Sequence, residues 1–212
     1  MTADQFPIVL IALTVGGYWF RVAQMARRTK RRIGRAANFI PTETTGRWNR
    51  ILWVPAIIAW IVQSFYSAFD ASPEPPFAPL WHPNLIVKWL LAGVVVTCGL
   101  LTTICWKRMG KSWRMGIDPN ERTSLIVSGP YAYVRHPIYA LSLVMMSATM
   151  LAIGSPVILV AGAIHLGFLI WEARREEQHL TSVHGETYVQ YCNGTGRFFP
   201  KPFGRSQASV AR

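Results

Sequence analysis

The chain has 212 residues, 51% of them apolar and only 15% charged, with a formal net charge of +12. A soluble domain carries nearer a quarter of its residues as charges, and here the apolar residues gather in long blocks, which is the bias of a membrane protein. The positive charge does not indicate nucleic acid: the basic residues lie between or after the apolar blocks and no nucleic-acid motif accompanies them. Held on the cytoplasmic side, they would meet anionic headgroups instead.

The first twenty residues have neither a basic leader nor a small-residue cleavage site, so they are expected to remain as a first helix. Residues 6–20 are uncharged and, with flanking residues to 22, long enough to span the hydrocarbon layer. A basic segment follows, with Arg21, Arg27, Arg28, Lys30, Arg31, Arg32 and Arg35. Residues 51–69 form the second predicted span, with Pro55 expected in its first turn, where N–H groups are spare. The connection 70–84 is rich in proline and holds no Lys or Arg. Residues 85–106 form the third span, with Lys88 near its outer end, where its amine can snorkel to the interface.

Residues 107–136 are polar and basic again. The apolar stretch that follows is too long for one crossing, and Gly154-Ser155-Pro156 breaks it into spans 138–153 and 156–173. Helix is expected to continue from 172 to 191, and the last eight residues or so are expected to be disordered. The segments 21–50, 107–136 and 172–212 are basic, whereas 70–84 and 154–156 have no Lys or Arg. That alternation predicts one all-α domain over 1–212, with about five transmembrane helices, the N-terminus outside and the C-terminus cytoplasmic. Of the three cysteines, Cys98 and Cys105 lie seven apart in one block and read as small buried residues sharing a helix face. With Cys192 they make no metal-ligand or disulfide pattern.

Two constellations can carry chemistry. The first is the run from Ser128 to Tyr139, containing Gly129-Pro130-Tyr131 and Arg135-His136-Pro137-Ile138-Tyr139. Pro137 suits a helix first turn, which leaves Arg135 and His136 at a helix N-terminus that favours an anionic group. The other reading is an arginine snorkelling to lipid phosphate beside an interfacial aromatic belt. The second constellation is Arg174-Arg175-Glu176-Glu177-Gln178-His179-Leu180, followed by Gly185, Tyr188, Tyr191, Arg197 and Pro200. Its adjacent carboxylates suit an ammonium or ribose hydroxyls, or else form a solvated helix face.

Together with Gly110-Lys111-Ser112-Trp113-Arg114, these blocks resemble the isoprenylcysteine carboxyl methyltransferase family and its relatives, the phospholipid N-methyltransferases, over residues 99–200. The resemblance implies a membrane methyltransferase using S-adenosylmethionine, without a Rossmann domain, on a lipophilic small molecule, possibly a carboxylate, among membrane lipids. The cofactor-binding segments would be 107–137 and 172–203, on the cytoplasmic side; a retained N-terminus without a targeting leader fits a bacterial inner membrane. Tyr131, Arg135, His136, Pro137, Ile138 and Tyr139 would enclose the cofactor, with Thr123, Ser124, Leu125 and Ile126 giving backbone contacts. Glu176 would be the cofactor carboxylate and Glu177 its neighbour, with Arg174, Arg175 and Glu176 as catalytic candidates. The family places a substrate-directed arginine just upstream, and by spacing from the Leu and Gly anchors that position is Glu172 here. A nicotinamide-dependent reductase of the sterol-reductase type and a non-catalytic membrane adaptor are the competing readings.

Overall fold

The structure, a computed structural model, describes residues 3–33, 44–70, 72–110, 113, 117 and 124–202. It is all-helical among these residues: α1 (Phe6–Ile33), α2 (Thr44–Phe69), α3 (Leu85–Met109), α4 (Pro137–Ile153), α5 (Pro156–His184) and the short α6 (Glu186–Gly194). Two single-turn 3-10 helices precede α1 and α4, at Ala3–Gln5 and Gly129–Ala132. In hydrocarbon a backbone must satisfy its own polar groups, and a helix does so within one segment.

Helices α1, α2, α3 and α5 are long and apolar enough to cross a membrane; α4 is apolar but shorter, at 17 residues. Helices α1 to α5 form a closed ring: α1 packs on α2 and α3, α3 on α4, α4 on α5, and α5 back on α2. Every helix therefore turns one side inward, and Trp60, Val95, Met145 and Ile158 are fully buried there. Large apolar side chains such as Leu13, Ile58, Ile86 and Leu100 face outward, as a lipid-facing surface requires.

Three boundaries differ from the sequence reading. The helix begun at Phe6 does not end with the apolar run but carries Arg21 and the basic residues after it to Ile33. No Gly or Pro interrupts residues 18–33, and Arg, Lys, Ala and Gln are good helix formers in water as well. Pro55 is not in a first turn: α2 begins at Thr44, so the proline lies inside the helix, on its exposed side, where a membrane helix tolerates it through local adjustment of the freed backbone groups. The helix from span five does not run unbroken to 191, because Gly185 adopts φ +55° and α6 starts afresh. Arg35 and the last ten residues lie outside the described residues.

One end of the ring is closed by short-range packing. Lys88 meets Asp4 at 3.0 Å instead of reaching for the interface alone. The Leu80 amide donates to Gly154 O, and Trp81 Nε1 donates to Leu151 O at 2.9 Å. The α4–α5 turn that the sequence placed at Gly154-Ser155-Pro156 is present, with Gly154 in the left-handed region at φ +69°. A Cβ there would sit 2.7 Å from the Trp81 ring. Gly154→Ala is therefore expected to cost about 1–3 kcal/mol, read as a lower unfolding temperature in detergent with helix content kept at low temperature. Cys98 and Cys105 are both buried and free.

Candidate functional site

At the other end of the ring two distant segments are tied together. Val134 bridges Gly196, the Arg135 amide donates to Gly196 O at 2.8 Å, and the His136 amide donates to Arg197 O at 3.0 Å. The segment after α6 is thus strapped across the start of α4. Gly196 is required for the turn of the strap itself: a Cβ on it would overlap the Phe199 carbonyl oxygen, at 1.7 Å.

The Arg135 and His136 amides are already used by backbone, and the Arg135 guanidinium is engaged within the protein. Its Nε donates to Glu177 Oε1 at 2.9 Å, and Nη1 donates to Cys192 O at 3.3 Å and to Thr195 O. Glu177 also accepts from Arg197 Nε at 3.0 Å and Nη2 at 2.6 Å. Arg135 and Glu177 therefore hold the strap in place.

Glu176 faces elsewhere. Its Oε1 accepts from Tyr139 Oη at 2.5 Å, and its Oε2 lies 3.4 Å from His136 Nδ1. His136 stacks flat on Tyr139, 5.4 Å between centroids, and its Nε2 is 3.3 Å from Glu177 Oε1, within charge attraction but not aligned as a hydrogen bond. Burial lowers the affinity of the His136 imidazole for a proton, but the two flanking carboxylates outweigh it and raise its pKa above 6.5. Because the folded value is the higher one, this contribution to stability is complete below 6.5 and is lost as pH rises through the folded value. Thermal stability of the wild type is expected to fall over that interval, above pH 6.5, and His136→Asn to flatten the dependence, as followed by unfolding in detergent across pH.

Glu176, His136 and Tyr139 line a cavity of about 200 Å³ inside the ring. Of the residues proposed from sequence, Ser124, Leu125, Ile126, Tyr131, Arg135, Pro137 and Ile138 line it as well. Glu177 and Arg175 do not; Arg175 lies over the Trp171 ring at 4.6 Å and donates to Glu172 at 2.9 Å. Arg174 is exposed. Thr123 lies outside the described residues, as do Lys111, Ser112 and Arg114 of the upstream motif, while Trp113 is buried on the cavity wall.

Sequence reasoning missed the share of the wall given by the first two helices, Tyr18, Trp19 and Val22 from α1 and Arg50 and Trp53 from α2. It also missed His165 and Phe168 on α5. The signal for the latter was present: His165, Phe168, Leu169, Glu172, Glu176 and Leu180 recur at three- and four-residue steps, the spacing of one helix face. Among the described residues no group of three His, Cys, Asp or Glu side chains is placed to hold a metal ion.

Motif blocks some forty residues apart in sequence thus meet on one cavity, in a ring of apolar helices. Residues 87–187 match the phospholipid methyltransferase family. The resemblance read from the sequence is borne out over this stretch, which holds nearly all of α3 and the whole of α4 and α5. The protein is an integral membrane protein, similar over residues 87–187 to these methyltransferases. Helices α1 and α2 precede the family stretch, so its cavity wall is completed from outside it. The chain is also 30% identical over 123 residues to the nickel-cobalt-cadmium resistance protein NccN of Alcaligenes xylosoxydans xylosoxydans. That match covers 57% of this chain and 56% of the relative, so the chain spans little more than half the relative's length.

Proposed function

We propose that the protein is an S-adenosylmethionine-dependent membrane methyltransferase acting on a small lipophilic acceptor. The observation that carries this is the convergence of the His136–Tyr139 run and Glu176 on one aromatic-walled cavity. The residues present fit the methyl donor. Tyr131 Oη, Trp19 Nε1 and Trp106 Nε1 are buried on the cavity wall without a hydrogen-bond partner among the described residues, and a nucleoside offers groups for such orphaned donors. Glu176 and the ring faces of the wall suit a cation.

S-adenosylmethionine supplies an electrophilic methyl group on a sulfonium. The chain's own contribution is to hold, orient and dry. Glu176, fixed by Tyr139 and His136, draws the positive centre toward one place. Tyr131 and the 124–126 segment close over the remainder, with Ser124, Leu125 and Ile126 giving backbone contacts. The aromatic wall excludes water, and fixing two reactants in register contributes several kcal/mol on its own. A carboxylate acceptor needs no base; an amine or thiol would give its proton to His136 or Glu176. In this reading five helices cross a bacterial inner membrane, with the N-terminus outside and the strapped end of the ring in the cytoplasm. Reporter fusions at residues 78 and 202 should then score on opposite sides.

Detergent-purified protein titrated with S-adenosylmethionine is expected to release heat saturably, and a methyl-labelled donor to label an organic-soluble product from a total lipid extract. No binding at millimolar donor sinks this function. Oxidation of reduced nicotinamide without methyl transfer would favour the reductase instead, and inertness in both assays the adaptor.

A further inference from the structure

His165 is a titratable side chain that takes no part in the proposed methyl transfer. It is 1% exposed and sits on the cavity wall. An ionisable group inside a membrane bundle is costly to keep there, and it marks a functional place by default. On α5 it precedes Glu176 by eleven residues, about 16 Å along the axis at helical rise. The cavity therefore has two ends, one at Glu176 and the other at His165.

The partners of His165 come from other helices. Trp53 Nε1 of α2 donates to His165 Nδ1 at 3.1 Å, and Ser142 Oγ of α4 lies 3.0 Å from Nε2. An indole N–H can only donate, so Nδ1 is the acceptor and the neutral ring carries its proton on Nε2. That proton goes to the Ser142 oxygen. With both nitrogens spent, the ring acts as no base; it fixes the direction of a hydroxyl.

Other buried hydroxyls of the bundle, Ser64, Thr102 and Thr149, donate to the carbonyl four residues back. Ser142 makes no such bond among the described residues, and its hydroxyl meets the Tyr18 phenol of α1 instead. Two hydroxyls share at most one hydrogen bond, so at least one of their protons is left to give. Both side chains line the cavity. A network that served only to join helices would spend all its protons internally.

We propose that the Ser142–Tyr18 hydroxyl pair, oriented by His165 and Trp53, is a subsite for a carbonyl oxygen of the lipophilic methyl acceptor. The relay is uncharged throughout, and a neutral donor in an apolar wall suits an uncharged oxygen. A buried donor left unpaired costs free energy, so the pair selects acceptors that carry this oxygen over hydrocarbons of the same shape. Ser142 and Tyr18 are specificity-determining residues; His165 and Trp53 are positioning residues, aligned so that each donor polarises the next. The assignment rests on the cavity being a methyl-transfer site, with the donor's sulfonium at Glu176.

The test uses 2-undecanone labelled with carbon-13 at its carbonyl, and 2-methyl-1-undecene, in which a methylene replaces the oxygen. A hydrogen bond lowers the carbonyl stretching frequency, which isotope-edited infrared spectra read on the detergent-purified protein. The wild type is expected to show a saturable band below that of the ketone in detergent alone. The alkene should displace the labelled ketone at least about ten-fold less well than unlabelled ketone does. Tyr18→Phe combined with Ser142→Ala should abolish the shifted band and bring that ratio to about one. His165→Phe keeps both hydroxyls but frees Ser142 to turn to its own helix, so the band should move back toward the detergent value. His165→Gln can accept from Trp53 and donate to Ser142, and should restore it. The comparison of the two probes on the wild type stands whether or not the variants fold.

A wild type without a shifted band, or one that holds alkene and ketone equally, overturns the subsite. So does a shifted band that survives the loss of both hydroxyls. Binding of S-adenosylhomocysteine, followed by calorimetry, separates the two layers. An absent carbonyl preference with adenosylhomocysteine bound overturns the subsite alone. A carbonyl preference in a wild type that binds no adenosylhomocysteine overturns the methyl-transfer reading and the acceptor role with it.

Discussion

Glu177→Gln is expected to destabilise the protein by about 3 kcal/mol, more than any neighbouring single substitution at the strap. Its carboxylate is 13% exposed and serves Arg135, Arg197 and His136 together. Glutamine has nearly the same shape but no charge, so the largely buried Arg135, 11% exposed, would lose its counter-ion. Removing one partner leaves the other buried charge uncompensated, which costs far more than the intact pair contributes. Arg197 is 35% exposed and can turn to water, so its share is small. The measurement is unfolding of the detergent-purified protein together with limited proteolysis. Tryptic cleavage after the strap residue Arg197 should accelerate before the helices melt. An unchanged unfolding temperature and cleavage pattern would show that Glu177 does not hold the strap.

The adjacent carboxylates show where the sequence was legible and where it stopped. Apolar runs and loop charges were enough to find α1 to α5, because in a bilayer the length of an apolar run is itself the constraint on a helix. The Gly154 turn followed from the lack of any side chain that could occupy its backbone region without strain. The two motif blocks also pointed to one another. The division of labour between Glu176 and Glu177 was not readable, since successive helix positions diverge by about 100° and their partners lie on α4 and the strap. The same rotation sends Arg174 to solvent and Arg175 to Trp171. Arg50 escaped notice for a different reason. At the start of an apolar run an arginine close to Arg47 reads as one more interfacial anchor; only the closure of the ring by α2 on α5 brings it to Glu172 and Phe168.

Glu176→Gln is expected to weaken binding of the methyl donor by about 2–3 kcal/mol, on the order of 30- to 150-fold in Kd, with little change in stability. Unlike Glu177, this carboxylate faces the cavity, is 23% exposed at its side chain, and has no arginine bound to it among the hydrogen bonds and ion pairs described. Glutamine can still accept from Tyr139, so the loss is one of charge against a sulfonium, not of packing. S-adenosylhomocysteine has a neutral thioether in place of that sulfonium and should lose much less affinity in the same variant. That difference between the two ligands separates an electrostatic role from a purely structural one. Tyr139→Phe leaves the charge but frees the carboxylate to swing, so the donor's affinity should fall by less, about 1 kcal/mol, while turnover falls further as register is lost. Calorimetry with both ligands on the three proteins decides the matter. Equal losses for the charged and the neutral ligand in Glu176→Gln would mean that the carboxylate shapes the cavity without meeting the donor's positive centre.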